Sequence, residues 1–271
     1  MTAQSSVTPP DQDPLGLEVK NLVVRYDSED VLRDVSFTLP PGASLAVVGE
    51  SGCGKTTLLT TLAGLLKSGA GEVTWRTSSG RTVARPHSSF VWQSLGLLPW
   101  KRVRENLALP LRLRSTPVNR AEGERRTDAM ITELGLAGLE NRWPAQLSGG
   151  QRQRLALGRS LIADPEVLFM DEPFSALDAL RREHLQEFLA GLRTRRHVTM
   201  IFVSHDIPEA VFLASHILML AAKPARQIEF YENPAWRPGL ASAERDSVPY
   251  NEACRHIRAR LKAASAEFAD A

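Results

Sequence analysis

One short segment, Gly49–Thr56, limits the folds open to this chain more than any other. It reads Gly-Glu-Ser-Gly-Cys-Gly-Lys-Thr, which matches the phosphate-binding pattern G-x-x-x-x-G-K-[ST]. The apolar run Leu45–Val48 before it suits a strand buried on both faces, and a helix is predicted from Lys55 to about Leu66. Glycines in such a loop let backbone N–H groups surround phosphate oxygens, and the helix N-terminus adds partial positive charge. The segment therefore predicts a nucleotide phosphate site, with Lys55 at the terminal phosphates and the Thr56 hydroxyl offered to Mg²⁺.

Two carboxylates follow a second apolar run. Asp171 and Glu172 come directly after Val167–Met170, at the carboxyl edge of a predicted parallel strand, where ligand sites of α/β proteins form. Neighbouring strand residues point to opposite faces, so Asp171 can serve a metal while Glu172 faces a water molecule. Pro173 is expected to hold Glu172 in an extended conformation. A solvated acidic strand end is the other interpretation.

A histidine ends a third apolar run. His205 follows the predicted strand Val198–Val203 and lies within reach of the same pocket if the two strands are neighbours. A histidine at a strand end can equally be structural.

The segment Leu147–Gln151 opens another predicted helix. Ser148 is a natural N-cap, the following glycines leave N–H groups exposed, and Arg152 and Arg154 lie in the first turns. This pattern indicates a second anion site, with an ordinary capped helix as the alternative.

The order of these motifs resembles the nucleotide-binding domain of ABC transporters over about residues 17–230. The resemblance implies that Tyr26 stacks on adenine and that Glu172 is the general base. It implies that Gln93 meets Mg²⁺ and the attacking water and that His205 lies near the γ-phosphate. The implied ATP contacts in the phosphate loop are Gly49, Glu50, Ser51, Gly52, Cys53, Gly54, Lys55, Thr56 and Thr57. The implied Mg²⁺ ligands are Thr56, Gln93 and Asp171.

The resemblance also implies an ATP site shared between two chains. In that arrangement the signature motif of one chain completes the ATP site of the other, and a D-loop contains Ser175 and Asp178. The signature residues are Leu147, Ser148, Gly149, Gly150 and Gln151. The expected assembly is a homodimer or a pair with a similar ATPase.

Strands that alternate with helices favour a parallel α/β core, and the block from about 94 to 163 is helical in pattern. The resemblance implies a P-loop NTPase fold: a RecA-like parallel core sheet, an N-terminal antiparallel β subdomain and this inserted α-helical subdomain. We expect a disordered segment at 1–16, the nucleotide-binding domain at 17–230 and a C-terminal extension at 231–271. The extension contains a short helix, Tyr250–Lys262, which is interpreted as a strap against the domain, with a surface-binding arm as the alternative.

Charge and length exclude several classes of function. The 33 basic residues nearly balance 31 acidic ones, so no overall field favours nucleic acid as a partner. Two distant cysteines fit neither a disulfide framework nor a zinc site. The N-terminus lacks the pattern of a signal peptide, and apolar runs fall short of the ~20 residues that cross a bilayer.

The segment Gln93–Trp100, with Val103–Asn106 after it, resembles the import ATPases of the nitrate, sulfonate and taurine group. In such systems this region meets the permease, so Leu97, Leu98 and Trp100 are candidates for an exposed docking patch. Packing within the helical subdomain is the alternative.

The expected function is therefore an ATPase at the cytoplasmic face of the inner membrane. It would energise a separate permease for a small anion such as nitrate, a sulfonate or taurine, and indirectly serve a substrate-binding protein. The alternatives are the ATPase of an exporter, or an ABC ATPase that acts on DNA or translation without a membrane.

Two smaller expectations concern helices. Gly158 is expected to lower the stability of its helix by up to ~1 kcal/mol relative to alanine, the residue that relatives usually have there. The cluster Arg193, Arg195 and Arg196 is interpreted as a solvated helix end.

Overall fold

The computed structural model describes residues 13–26, 29–114, 118–175, 177–196, 198–221, 224–237 and 241–269. The strands are β1 (Leu15–Tyr26), β2 (Glu29–Leu39), β3 (Ser44–Gly49), β4 (Ala70–Thr77), β5 (Thr82–Val83), β6 (Ser88–Val91), β7 (Val167–Asp171), β8 (Thr199–Val203), β9 (His216–Ala221) and β10 (Arg226–Glu232). The helices are α1 (Lys55–Leu62), α2 (Val103–Leu113), α3 (Arg120–Glu133), α4 (Gly149–Leu161), α5 (Ala179–Arg196), α6 (Ile207–Leu213) and α7 (Val248–Ala269).

The strands form two sheets. One has four strands in the order β2-β1-β4-β5, and each neighbouring pair is antiparallel. The other has six strands in the order β10-β9-β3-β8-β7-β6. Its strands from β9 to β6 are parallel, and β10 runs antiparallel at the edge. This confirms the predicted fold class of a parallel core sheet with an N-terminal antiparallel sheet.

The central strands are buried on both faces, as the continuous apolar runs predicted. In β3, Val47 belongs to the core shared with the antiparallel sheet, while Ala46 and Val48 belong to the core shared with the helices. In β7, Phe169 and Met170 divide in the same way. Because side chains alternate along a strand, each central strand joins both cores.

The first strand begins earlier than predicted. Residues 1–12 of the predicted disordered segment lie outside the described residues, but Leu15 and Gly16 belong to β1, so the prediction is wrong for them. The physical reason is burial: Leu15 is fully buried, and its carbonyl oxygen accepts a hydrogen bond from Thr199 Oγ1 at 2.6 Å.

Three helices, α2, α3 and α4, lie between β6 and β7 in the sequence. The end of α3 packs so tightly against α4 that a Cβ atom at Gly158 would lie 2.3 Å from Leu134 Cδ1. Glycine at this position therefore has a packing reason, because a larger residue would force the Leu134 side chain to move.

The arginines at the end of α5 are not a solvated cluster. The guanidinium of Arg196 bonds Glu133 at 2.9 Å and Asp164 at 3.1 Å. Arg193 lies 4.4 Å from the ring centroid of Trp236, and burial lowers its pKa to about 10. The sequence interpretation was wrong for these two residues because their partners are distant in the chain.

The C-terminal helix α7 is longer than the predicted Tyr250–Lys262. Its residues Ala253 and Ile257 are fully buried against the helical core, and Tyr250 is almost fully buried. These contacts support the strap over the surface-binding arm. In the part of the chain that the structure describes, no helix is both long and apolar enough to cross a bilayer.

Candidate active site

The phosphate loop joins the end of β3 to the start of α1. Gly52 and Gly54 have φ angles of 76° and 101°, which other residues rarely adopt. A Cβ atom at Gly49 would lie 2.3 Å from the carbonyl oxygen of Leu220 on β9. The glycines of the sequence pattern are therefore required by the backbone itself.

Lys55 folds back over this loop. Its Nζ donates hydrogen bonds to the carbonyl oxygens of Gly49 at 3.0 Å and Glu50 at 2.7 Å, and its side chain is buried. These two bonds use two of the three ammonium donors and hold the positive charge inside the curve of the loop.

Thr56 and Asp171 meet across the strand edge. Thr56 Oγ1 lies 3.1 Å and 3.0 Å from the two carboxylate oxygens of Asp171. Burial raises the pKa of Asp171 above its ordinary value. A hydroxyl and a carboxylate oxygen are the hard donors that Mg²⁺ prefers, so these residues fit that ion.

The three predicted catalytic side chains meet at one oxygen atom. Gln93 Nε2 donates to Glu172 Oε2 at 3.0 Å, and His205 Nδ1 lies 3.4 Å from the same oxygen. They come together because β6, β7 and β8 are adjacent parallel strands and each residue follows the end of its strand.

The backbone of Glu172 is left-handed, not extended. Its φ angle is 45°, a conformation that costs a non-glycine residue roughly 1–3 kcal/mol and concentrates at functional sites. Its N–H donates to the carbonyl oxygen of Val203 at 3.2 Å, and its own carbonyl accepts from Ser175 N and Oγ. Pro173 disfavours the right-handed helical conformation for Glu172, and these hydrogen bonds select the left-handed conformation over the extended one.

The signature segment is a capped helix N-terminus. Ser148 Oγ accepts from Gln151 N at 3.3 Å, and Gln151 Oε1 accepts from Ser148 N at 2.9 Å. The two arginines expected at an anion site bond carbonyl oxygens instead: Arg152 bonds Leu147, and Arg154 bonds Leu134. What remains for an anion is the row of N–H groups at the start of α4.

The D-loop residues bond within their own protomer. Asp178 Oδ1 accepts from Arg181 N at 3.1 Å and so caps the start of α5. Ser175 bonds Glu172, as described above.

The predicted adenine contact, Tyr26, is the last residue of β1 and is half exposed. Its ring is therefore open to stacking.

The predicted docking patch is only partly exposed. Trp100 is 68% exposed, whereas Leu97 and Leu98 are half-buried. Asn106 holds the backbone of Leu98, with Leu98 N to Asn106 Oδ1 at 3.0 Å. A groove of ≈ 330 Å³ beside this segment is lined by Leu98, Pro110 and Leu113 among others.

The structure reveals a buried carboxylate that sequence reasoning missed. Glu209 on α6 is almost fully buried, and its Oε2 accepts from Gln186 Nε2 at 3.2 Å. Burial raises its pKa from 4.5 to about 7. A glutamate in the first turn of a short helix gives no sequence signal of burial, because that position is usually exposed.

Replacing Glu209 by glutamine should change how stability depends on pH. Between pH 4.5 and 7 the folded state binds more protons at this carboxyl than the unfolded state does. The free energy of unfolding of the parent therefore falls as pH rises through this window. Glutamine does not titrate, so the free energy of unfolding of Glu209→Gln minus that of the parent should be about 2 kcal/mol higher at pH 8 than at pH 5.5. Urea unfolding at both pH values measures it, with the exposed Glu183→Gln as control. Parallel pH curves for parent and Glu209→Gln would contradict the buried, raised pKa.

The chain is similar to known proteins of one family. A family described as ABC transporter matches residues 32–175. The chain is 42% identical over 198 residues to the aliphatic sulfonates import ATP-binding protein SsuB of Bacillus licheniformis, which covers 72% of this chain and 74% of that protein. It is 38% identical over 215 residues to the taurine import ATP-binding protein TauB of Escherichia coli O157:H7, with 79% and 82% covered. A solved metal-chelate type ABC transporter in an inward-facing conformation superposes with a TM-score of 0.68 and 26% identity, over 80% of this chain and 83% of that one.

Proposed function

This chain belongs to the ABC transporter family, and we propose that it energises the uptake of a small anion through a separate membrane permease. It is an ATP-binding import subunit and an ATPase coupled to transport. A sulfonate or taurine is the proposed cargo, since the similar proteins are import subunits for aliphatic sulfonates and taurine. Nitrate is the third member of the proposed substrate class.

The observation that carries the hydrolytic part of the proposal is the meeting of Gln93, Glu172 and His205 at one carboxylate oxygen. Glu172 would accept a proton from the attacking water, and Gln93 would orient that water. His205 would hydrogen-bond the γ-phosphate. Lys55 and the loop N–H groups would hold the terminal phosphates, and Tyr26 would stack on adenine.

Mg²⁺ is proposed as the partner of the phosphates. Thr56 and Asp171 would hold it, with Gln93 as a further ligand. Bound there, the ion would supply positive charge to the oxygens of the transferred phosphoryl group.

The active form is proposed to be a head-to-tail dimer, or a pair with a similar ATPase. The N–H groups of Gly149 and Gly150 belong to the first turn of α4, where a helix supplies no intrahelical acceptor. An added Cβ atom at either glycine would touch side chains only at 3.9 Å. This open N-terminus would complete the ATP site of the partner chain from Ser148–Gln151. Each site then needs residues of both chains.

The permease is proposed to dock beside the segment after Gln93. Trp100 would be the anchor, because a tryptophan that is 68% exposed leaves a large apolar surface in water. The half-buried side chains of Leu97 and Leu98 would add apolar surface beside it. The chain would then work at the cytoplasmic face of the inner membrane, with a substrate-binding protein on the opposite side.

Growth on defined sulfur sources tests this function. Deleting the gene in its host should abolish growth on taurine or an alkanesulfonate as sole sulfur source and leave growth on sulfate unchanged. The parent gene should restore growth, and Glu172→Gln should not. Trp100→Glu should also fail to restore growth although the purified protein hydrolyses ATP. Normal growth of the deletion strain on taurine and on the alkanesulfonate as sole sulfur source, and on nitrate as sole nitrogen source, would contradict uptake of this anion class.

A further inference from the structure

The segment 241–269, here called the C-terminal strap, contains α7 and the residues just before it. The beginning of the strap contacts α6: Ala243 N donates to the carbonyl oxygen of Phe212 at 3.0 Å, and Tyr250 Oη donates to the carbonyl oxygen of Pro208 at 3.0 Å. Tyr250 is almost fully buried, so this bond is shielded from water. The strap therefore holds the first turn of α6.

Arg245 of the strap contacts α6 directly at Phe212 and indirectly through Gln186 on α5. Its guanidinium lies 3.8 Å from the ring centroid of Phe212 on α6. Its Nη2 donates to Gln186 Oε1 at 2.6 Å, and Gln186 passes a hydrogen bond to Glu209 at 3.2 Å. Both ends of α6 are thus connected to one arginine.

His205 lies in the short connection between β8 and α6. Only Ser204, His205 and Asp206 separate the end of β8 from the start of α6. Asp206 caps α6 by accepting from Glu209 N at 3.3 Å, and its other oxygen accepts from Arg182 at 3.0 Å. His205 itself is largely exposed, and its contact with Glu172 spans 3.4 Å. Its placement therefore depends on the two elements that flank it.

The other end of the strap reaches the phosphate loop. Ser265 Oγ donates to the carboxylate of Glu50, which lies between the loop glycines. The middle of α7 is fixed to β10, where Glu229 accepts from His256 at 2.9 Å and from Arg260 at 2.8 Å. The strap thus contacts the helix that follows His205 at one end and the phosphate loop at the other.

We propose that the C-terminal strap is a positioning element of the ATPase: Tyr250 and Arg245 place His205 through α6, and Ser265 turns the Glu50 carboxylate away from the phosphates. This inference rests on the proposed ATPase activity. None of the three strap residues is a catalytic residue. They act only through His205 and Glu50.

Substitutions at the two ends of the strap should change different kinetic parameters of ATP hydrolysis. Tyr250→Phe and Arg245→Met keep most of the apolar volume and remove the polar contacts. Each should lower kcat about fivefold with KM for ATP little changed, because the loss falls on a group that acts during the reaction. Ser265→Ala should instead raise KM about threefold with kcat unchanged, because a released Glu50 carboxylate would repel the phosphates. Arg255→Gln, exposed on the same helix, is the control and should change neither.

A double mutant distinguishes positioning from mere stabilisation. In a His205→Ala background, Tyr250→Phe should cause no further loss of kcat, because both changes remove the same contribution. An additive loss, or a lowered Tm with kcat unchanged in Tyr250→Phe, would overturn the proposal. If the parent protein hydrolyses no ATP, the proposed function fails. If the parent is active and the strap variants match it, only this inference fails.

Discussion

Glu172→Gln is expected to lower the rate of ATP hydrolysis by about 10²- to 10⁴-fold while ATP still binds. The glutamine keeps the shape of the side chain and can still accept the hydrogen bond from Gln93 Nε2, which spans 3.0 Å in the parent. It cannot accept a proton from water. ATP-bound dimers should therefore accumulate, because ATP held between the two chains would no longer be hydrolysed. Turnover of radiolabelled ATP and size-exclusion chromatography with ATP measure the two effects.

The control for this variant is Glu183→Gln, an exposed change of the same chemistry on α5. It should leave turnover within twofold of the parent, as surface substitutions usually do. Hydrolysis by Glu172→Gln at a near-parental rate would remove Glu172 from the role of general base.

Ser148→Arg is expected to abolish hydrolysis when both chains of the dimer have it. The arginine would replace the side chain that caps α4 and would fill the N-terminus proposed to face the partner's phosphates. We expect a loss of at least about 10²-fold, the scale for removing donors that stabilise the transition state. Thr132→Arg, exposed on α3, is the matched control.

A mixture of variants tests whether the site is shared. Lys55→Ala should be inactive alone, because it removes the ammonium that lies over the loop at Gly49 and Glu50. Mixed with Ser148→Arg, it should form heterodimers that contain one intact site. Random mixing should then restore about one quarter of the parental activity, since half of the dimers have one site of two. An active Ser148→Arg dimer would contradict the shared site.

Local patterns predicted where the candidate site residues lie in the fold, because each motif lies at the end of one element. The helix α2, Val103–Leu113, lies within the block from about 94 to 163 that the sequence predicts to be helical. Ser148 caps α4 as expected. The apolar runs that became β3, β7 and β8 identified central strands, because only strands buried on both faces lack alternation. Adjacent strand ends then brought Gln93, Glu172 and His205 together.

Non-local contacts account for what sequence reasoning missed. The left-handed turn at Glu172 depends on Val203, which is distant in the chain. The charge of Arg196 alone suggested a solvated helix end, but Arg196 is paired with Glu133 and Asp164, which are distant in the chain. The strand β10 and the helix α6 are short and have no strong period, so tertiary packing defines them.

The strand order also has a consequence for how the protein is made. The strand β3, which ends in the phosphate loop, pairs with β8 and β9. Those partners are encoded about 150 residues later, and a ribosome adds roughly 5–20 residues per second, so roughly 8–30 s pass before β3 can find them. Until then the nascent chain exposes an unpaired apolar strand. Long sequence separation of this kind slows folding and makes chaperone contact during synthesis advantageous. The nucleotide site is therefore among the last parts of the nascent chain to become native, although the phosphate loop leaves the ribosome early.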